Sequence, residues 1–263
     1  MCVSTQSRSK VETQLVMLEI SNLHVEIDGK PLLHNIKLTI EEGETHVLFG
    51  PNGSGKTSLL MTIMGFPRYK VTRGSIKFRG QDITHLPLDE RARLGIGVAF
   101  QRPPVIRGLS VRALAHALRH GREDGVTIEE LAAKLDLADA LDRDLNYGFS
   151  GGELKRLELL QLMVQKPSLL LFDEPESGVD LVNISLVGNV LNQLLRGNGS
   201  RTQVNSGLVI THTGFILDYI KADKSHCMID GFLGCEGRPR DLLERIRKDG
   251  YEECFRCLAL PNG

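Results

Sequence analysis

Apolar and polar residues alternate with a period of two from Leu18 to Ile27 and again from Leu32 to Ile40, with Asp28-Gly29 between the two runs. This pattern predicts an antiparallel strand pair around a tight turn. A shorter polar/apolar segment, Ser75 to Phe78, follows Thr72-Arg73-Gly74. Four other segments are apolar without alternation: Thr45 to Phe49, Gly95 to Phe100, Leu169 to Asp173 and Leu208 to Thr211. Such runs mark strands of a parallel sheet covered on both faces. Helical spacing fills the gaps, over Thr57 to Met64, Leu88 to Leu94 and Leu154 to Val164, the last ending before Pro167. It also runs through Ser110 to Asp144. There Val111, Leu114, Ala115 and Leu118 share one face and Leu131, Leu135, Leu137 and Leu141 another, with a break at Gly121 to Gly125. Pro103-Pro104 stops any element after Gln101. The expected fold is α/β over residues 17–260, with a mostly parallel core sheet, an antiparallel β subdomain and a small helical subdomain at about 106–160. Ligand chemistry in such a fold belongs at the C-terminal ends of the parallel strands.

One motif sits at such an end. Gly50-Pro51-Asn52-Gly53-Ser54-Gly55-Lys56-Thr57-Ser58 satisfies G-x-x-x-x-G-K-[ST], follows the strand at 45–49 and opens the helix at 57–64. That context identifies a phosphate loop. Its glycines let backbone N–H groups converge on phosphate oxygens, and the helix N-terminus adds positive potential. Lys56 is placed to reach the β- and γ-phosphates of a nucleotide as a point charge, and the Thr57 hydroxyl is a Mg²⁺ ligand.

Composition narrows the alternatives. The 263 residues are 41% hydrophobic and 25% charged, enough for one sizeable core and unlike a disordered chain. A net charge of -1 gives no footprint for nucleic acid. The longest apolar runs fall far short of the ~20 residues a membrane span needs, so no membrane insertion is expected. Residues 1–16 are polar and aperiodic, which reads as a disordered extension or an overcalled start before Met17. They lack the apolar core of a signal peptide, so a cytoplasmic, reducing location is expected, with the five cysteines as thiols or metal ligands.

Further motifs follow the phosphate loop in order: Gln101 at a strand end, Ser150-Gly151-Gly152-Glu153 at a helix start, Asp173-Glu174 after an apolar strand, Ser177-Gly178-Val179-Asp180, and His212 after the next strand. In this order they resemble the ATP-binding-cassette (ABC) ATPases, P-loop NTPases that hydrolyse Mg²⁺-ATP, over nearly everything from Met17 onward. The resemblance implies that Asp173 holds Mg²⁺ together with Thr57 and Gln101. Glu174 is then the base that polarises the attacking water, and His212 the switch histidine on the γ-phosphate. Ser150, Gly151, Gly152 and Glu153 correspond to the signature that closes on ATP held by a second subunit, and Asp180 to the loop aspartate crossing that interface. ATP-dependent homodimerisation is therefore implied. Many cassettes place an aromatic near the end of the first strand to stack on adenine; here that position is Ile27.

Within the cassettes, several stretches are similar to the SufC family of iron–sulfur cluster assembly ATPases. They are 64–74, Asp82-Ile83-Thr84, Glu90-Arg91-Ala92-Arg93, Ala99-Phe100-Gln101, Gly148 to Glu153 with Lys155-Arg156, 173–180, and Gly250-Tyr251. Glu153 and Gly178 favour that family over transporter ATPases, which more often carry Leu-Ser-Gly-Gly-Gln and Thr-Ser-Ala-Leu-Asp. The chain departs from the bacterial pattern at Arg102-Pro103-Pro104 and in Glu-Pro after Asp173. The resemblance implies a soluble ATPase that deforms a SufB- or SufD-like scaffold; the alternative is the ATP-binding subunit of a membrane transporter. The docking surface is expected just after Gln101, at Val105 to Leu109, unless Val105 and Ile106 pack inside the helical subdomain. Cys227, Cys235, Cys254 and Cys257, with His226, suggest a metal site. One C-x-x-C supplies only two of the four ligands a closed site needs, which favours free thiols. An Asp230-Gly231 hairpin would pair Cys227 with Gly234 and His226 with Cys235, turning the two cysteines to opposite faces.

Overall fold

A computed structural model of the chain describes residues 15–259, except 120, 123–124, 181–182 and 198–203 and the side chains of 252 and 254–259. Most of the expected N-terminal extension lies outside the described residues, and Val16 already belongs to the first strand. Strands β1 (Val16–Ile27) and β2 (Lys30–Glu41) pair antiparallel, with Ile27 opposite Lys30 across the Asp28-Gly29 turn. They are followed by β3 (Thr45–Phe49), α1 (Lys56–Met64), β4 (Tyr69–Phe78), β5 (Gln81–Asp82), α2 (Leu88–Leu94) and β6 (Ile96–Ala99). Then come β7 (Ile106–Ser110), α3 (Val111–Arg119), α4 (Ile128–Ala133), β8 (Asp144–Leu145), α5 (Gly151–Gln165) and β9 (Leu169–Asp173). The described chain ends with α6 (Asn183–Arg196), β10 (Ser206–Ile210), β11 (Lys224–Ile229), β12 (Phe232–Gly237) and α7 (Pro239–Ala259), the last broken at Gly250.

The central sheet has the order β12-β11-β3-β10-β9-β6 and is parallel except for β12, while β2-β1-β4-β5 forms a separate antiparallel sheet. The apolar runs divide by residue parity. Val47, Phe49, Leu170, Phe172 and Val209 face one core with α5, α6 and α7, and Leu48, Leu169, Leu171, Leu208 and Ile210 face the other. The apolar runs of these strands are therefore unbroken because successive side chains enter different cores. Helix α1 lies in the second core, between the two sheets, and buries Leu59, Leu60, Ile63 and Met64 there. Its C-terminal carbonyls, Thr62 and Ile63, accept from the buried guanidinium of Arg91, which also donates to Thr84 and Leu86. Burial pushes Arg91 down to about 10, and the four carbonyls, together with the negative end of α1, hold its charge.

Two expectations change on folding. The region at 106–160 does not begin as helix: β7 pairs with β8, Ile106 opposite Leu145, because two prolines hold the chain extended into β-branched Val105-Ile106. In the β11–β12 hairpin, Cys227 does face Gly234, but His226 faces Glu236 rather than Cys235. A bulge at Cys235, whose φ is 39, absorbs the extra residue. Cys227 and Cys235 consequently pack against the same apolar cluster and not on opposite faces. Among the described residues no three His, Cys, Asp or Glu side chains cluster as metal ligands, and the side chains of Cys254 and Cys257 lie outside them. His226 instead meets His46, Nε2 to Nδ1 at 3.0 Å, and His46 Nε2 lies 2.9 Å from Glu44. No helix among the described residues is long and apolar enough to cross a membrane.

Candidate nucleotide site

The parallel strands deliver their C-terminal residues to one edge of the sheet. β3 ends in the glycine-rich loop at 50–55, β9 in Asp173 just before Glu174, β10 just before Thr211-His212, and β6 just before Phe100-Gln101. These strands are neighbours, so residues far apart in sequence converge by register alone.

The loop itself is a tight backbone cradle. A Cβ on Gly50 would come within 2.3 Å of the Met228 carbonyl oxygen, so only glycine fits. Helix α1 starts from Gly55 with no side-chain cap, which leaves its first N–H groups to an anion. The Ser54 hydroxyl is buried without a partner inside the same loop. An uncapped helix start beside a buried, unpaired hydroxyl suits a polyphosphate. Lys56 is buried, and its Nζ donates to the carbonyls of Gly50 and Pro51, both at 2.8 Å. Burial lowers its pKa, against the pull of the Glu174 and Asp173 carboxylates.

Thr57 Oγ1 donates to both carboxylate oxygens of Asp173, at 3.2 and 3.0 Å. Burial raises the pKa of Asp173, as does the neighbouring charge of Glu174. A cation beside it would reverse that cost. Carboxylate, hydroxyl and the nearby amide of Gln101 are hard oxygen donors of the kind Mg²⁺ takes, the remaining positions being left for phosphate and water. Glu174 lies between two partners: Gln101 Nε2 donates to its Oε2 at 2.5 Å, and His212 Nδ1 is 3.3 Å from its Oε1. The structure thus brings Lys56, Thr57, Gln101, Asp173, Glu174 and His212 together.

The remaining candidates form a second group. Ser150 caps α5 in a capping box, its hydroxyl accepting from Glu153 N–H while the Glu153 carboxylate accepts from Ser150 N–H at 2.8 Å. Arg143 holds the entrance, its guanidinium 3.8 Å over the Phe149 ring and donating to the Gly148 carbonyl. A Cβ on Gly151 would lie 2.7 Å from the Gly178 carbonyl oxygen, so the helix start and the 177–180 loop need glycine to pack this closely. Gly152 has more room, its nearest neighbours being Asn183 side-chain atoms at 3.6 to 3.8 Å. Asp180 is exposed and its carboxylate accepts from Asn183 N–H at 2.8 Å, capping the start of α6.

Two charged residues on α5 carry a task the sequence reading did not give them: Lys155 stood there only within a family pattern, and Glu158 was not named. Lys155 donates to the carbonyls of Phe100 and Gln101, at 3.1 and 3.2 Å, and the Glu158 carboxylate accepts from Phe100 N–H at 2.6 Å. Together they grip the strand exit that presents Gln101. Burial lowers the pKa of Lys155 and pushes Glu158 up to about 7. The signal for Glu158 was a charge among Leu157, Leu159 and Leu160, on a helix otherwise apolar at those positions. Pairing of β1 with β4 also sets Tyr69 directly opposite Ile27, an aromatic that sequence spacing did not connect to that place.

Comparison with known proteins agrees with this geometry. The profile of the ABC transporter family matches residues 33–177. A probable ABC transporter ATP-binding protein of Streptococcus pyogenes serotype M3 is 39% identical over 246 residues, spanning 89% of this chain and 93% of that protein. The iron-sulfur cluster assembly protein SufC of Plasmodium falciparum is 37% identical over 252 residues, spanning 90% of this chain and 71% of that protein. Among solved structures, an ATP-binding cassette of an ABC transporter in its ADP conformation superposes with a TM-score of 0.70 at 25% identity, covering 92% of this chain and 99% of that one. A nucleotide-free cassette gives 0.72 at 23% identity, with the same coverage. The chain belongs to the ABC transporter family, and it is an ATP-hydrolysing ATP-binding cassette.

Proposed function

We propose that this chain hydrolyses Mg²⁺-ATP at the edge formed by β3, β9, β10 and β6, and that it uses the cycle to drive iron–sulfur cluster assembly on a SufB- or SufD-like scaffold. Residues 50–58 hold the phosphates, with Lys56 as the local cation. Thr57, Asp173 and Gln101 would hold Mg²⁺, which when bound would offset charge developing on the phosphate oxygens. Glu174 orients and polarises the attacking water, and His212 donates toward the γ-phosphate. Such a site needs positioning and charge neutralisation more than covalent help. Ser150 to Glu153 and Asp180 complete the site of a second subunit, so two copies enclose two ATP molecules.

The observation that carries the coupling is the position of Gln101. On one side its amide donates to Glu174, and on the other the chain runs through Pro103-Pro104 into Val105 and Ile106, which are 54% and 42% exposed. Tyr147, also exposed, lies beside them with Arg107 4.7 Å over its ring. Apolar side chains gathered at the exit of a catalytic loop suit a partner that moves when the site closes. The relative named as a SufC protein supports the scaffold reading, and the relatives named as probable transporter subunits support a permease in the same place. The two readings differ in the partner, so co-purification from the source decides between them. A scaffold is expected, and recovery of a polytopic membrane protein without one would overturn the choice. Val105→Asp with Ile106→Asp is expected to give folded, ATP-binding protein that no longer retains its partner; unchanged retention would remove this surface from the coupling.

A further inference from the structure

Glu176 lies two residues beyond Glu174, and its side chain is 7% exposed. One carboxylate oxygen, Oε1, accepts from the hydroxyls of both Thr211 and Thr213, the latter at 3.0 Å. Those two threonines bracket His212. The Thr211 hydroxyl accepts in turn from Gly214 N–H at 2.9 Å, which closes residues 211–214 into a stapled turn. The backbone repeats the connection, since Glu174 N–H donates to the Ile210 carbonyl at 3.1 Å. The exits of β9 and β10 are therefore tied twice, by one main-chain bond ahead of the two functional side chains and by one carboxylate behind them.

His212 itself is held by little else. Its side chain is 41% exposed and, among the described residues, its one polar side-chain neighbour is Glu174, at 3.3 Å, so the direction of the imidazole is set largely by the backbone on either side. The second oxygen of Glu176, Oε2, is buried with no hydrogen-bond partner. A buried carboxylate with one oxygen unpaired costs stability that an apolar residue of similar size would avoid. The position therefore has an expensive residue whose paired oxygen serves only the histidine loop.

We propose that Glu176 is a positioning residue for His212, fixing the 211–214 turn so that the imidazole stays beside Glu174 at the reacting phosphate. The inference rests on the role given to His212 above. It acts through geometry and not through contact with ATP, so it predicts an effect on turnover with little effect on nucleotide affinity.

The test is a cycle of single and double variants of the full chain, read as kcat and as the Kd for ATP. His212→Ala is expected to lower kcat at least about tenfold, the scale of one lost polar contact in the transition state. Glu176→Ala should lower kcat by about tenfold with Kd within about threefold, and in the His212→Ala background it should change kcat less than about twofold. Glu176→Gln, which keeps an acceptor oxygen for both hydroxyls, should recover most of the turnover. If Glu176→Ala does not fold, Thr213→Ala removes one of the two donors and should lower kcat about threefold only where His212 is present. Effects that multiply in the double variant, or Glu176→Ala and Thr213→Ala variants with full turnover while His212→Ala has lost it, overturn the proposal and leave the role of His212 standing. Normal hydrolysis by His212→Ala overturns both.

Discussion

Replacing Glu158 by Gln should make this protein more stable above neutral pH and leave it unchanged in acid. The Glu158 carboxyl is 4% exposed, and burial pushes it up to about 7 from its ordinary 4.5, against the opposing pull of Phe100 N–H, Lys155 and Gln161. A folded-state value above the unfolded one means that the native protein binds more protons between those limits. Stability contributed by the neutral acid is therefore present below about 4.5 and lost as pH rises to about 7. The full difference corresponds to roughly 3 kcal/mol at 1.36 kcal/mol per unit. Gln carries no charge, and its carbonyl oxygen can keep the 2.6 Å bond from Phe100 N–H. Part of the gain is returned, because buried Lys155 loses the opposite charge that does most to hold its proton, although Asp173, Glu176 and Glu174 remain near it. A net gain of about 1–2 kcal/mol is expected near pH 8, equivalent to a rise in Tm of about 2–8 °C for a chain of this size, falling to almost none at about pH 4. Thermal unfolding of both proteins across that range is the assay. A variant less stable at pH 8, or a difference between the two proteins that does not change with pH, would refute the reasoning.

Other expectations concern the ATP cycle. Lys56→Ala removes the cation of the phosphate loop and should lower turnover at least ~10²-fold in a phosphate-release assay, the scale of losing one preorganised electrostatic contact; near-normal hydrolysis would place the active site elsewhere. Glu174→Gln should bind Mg²⁺-ATP, hydrolyse it slowly and accumulate as a dimer in light scattering, and a variant that stays monomeric with saturating Mg²⁺-ATP and its partner present would count against the two-subunit site.

Much of the molecule was legible from local pattern. The strand at 45–49 and the helix after residues 50–55 obey rules that act over a few residues, so both elements stand where spacing put them. The Asp28-Gly29 turn fixes the β1–β2 pair for the same reason, and Ser150 with Glu153 signals a helix start through its own capping box. Apolar runs at 169–173 and 208–211 announced strands buried on both faces, although only assembly shows that alternate residues enter two different cores. What tertiary structure alone decided are contacts across large sequence distances. The grip of Glu158 on Phe100 spans 58 positions, and the hold of Glu176 on Thr211 and Thr213 spans 35 and 37. Each depends on neighbouring strands arriving at the same sheet edge, which no local spacing encodes. The bulge at Cys235 is of the same kind. Residue counting predicts regular pairing beyond Asp230-Gly231, but packing of β12 against β11 and α7 selects a register with one residue extra, and that single residue turns Cys235 to the face of Cys227.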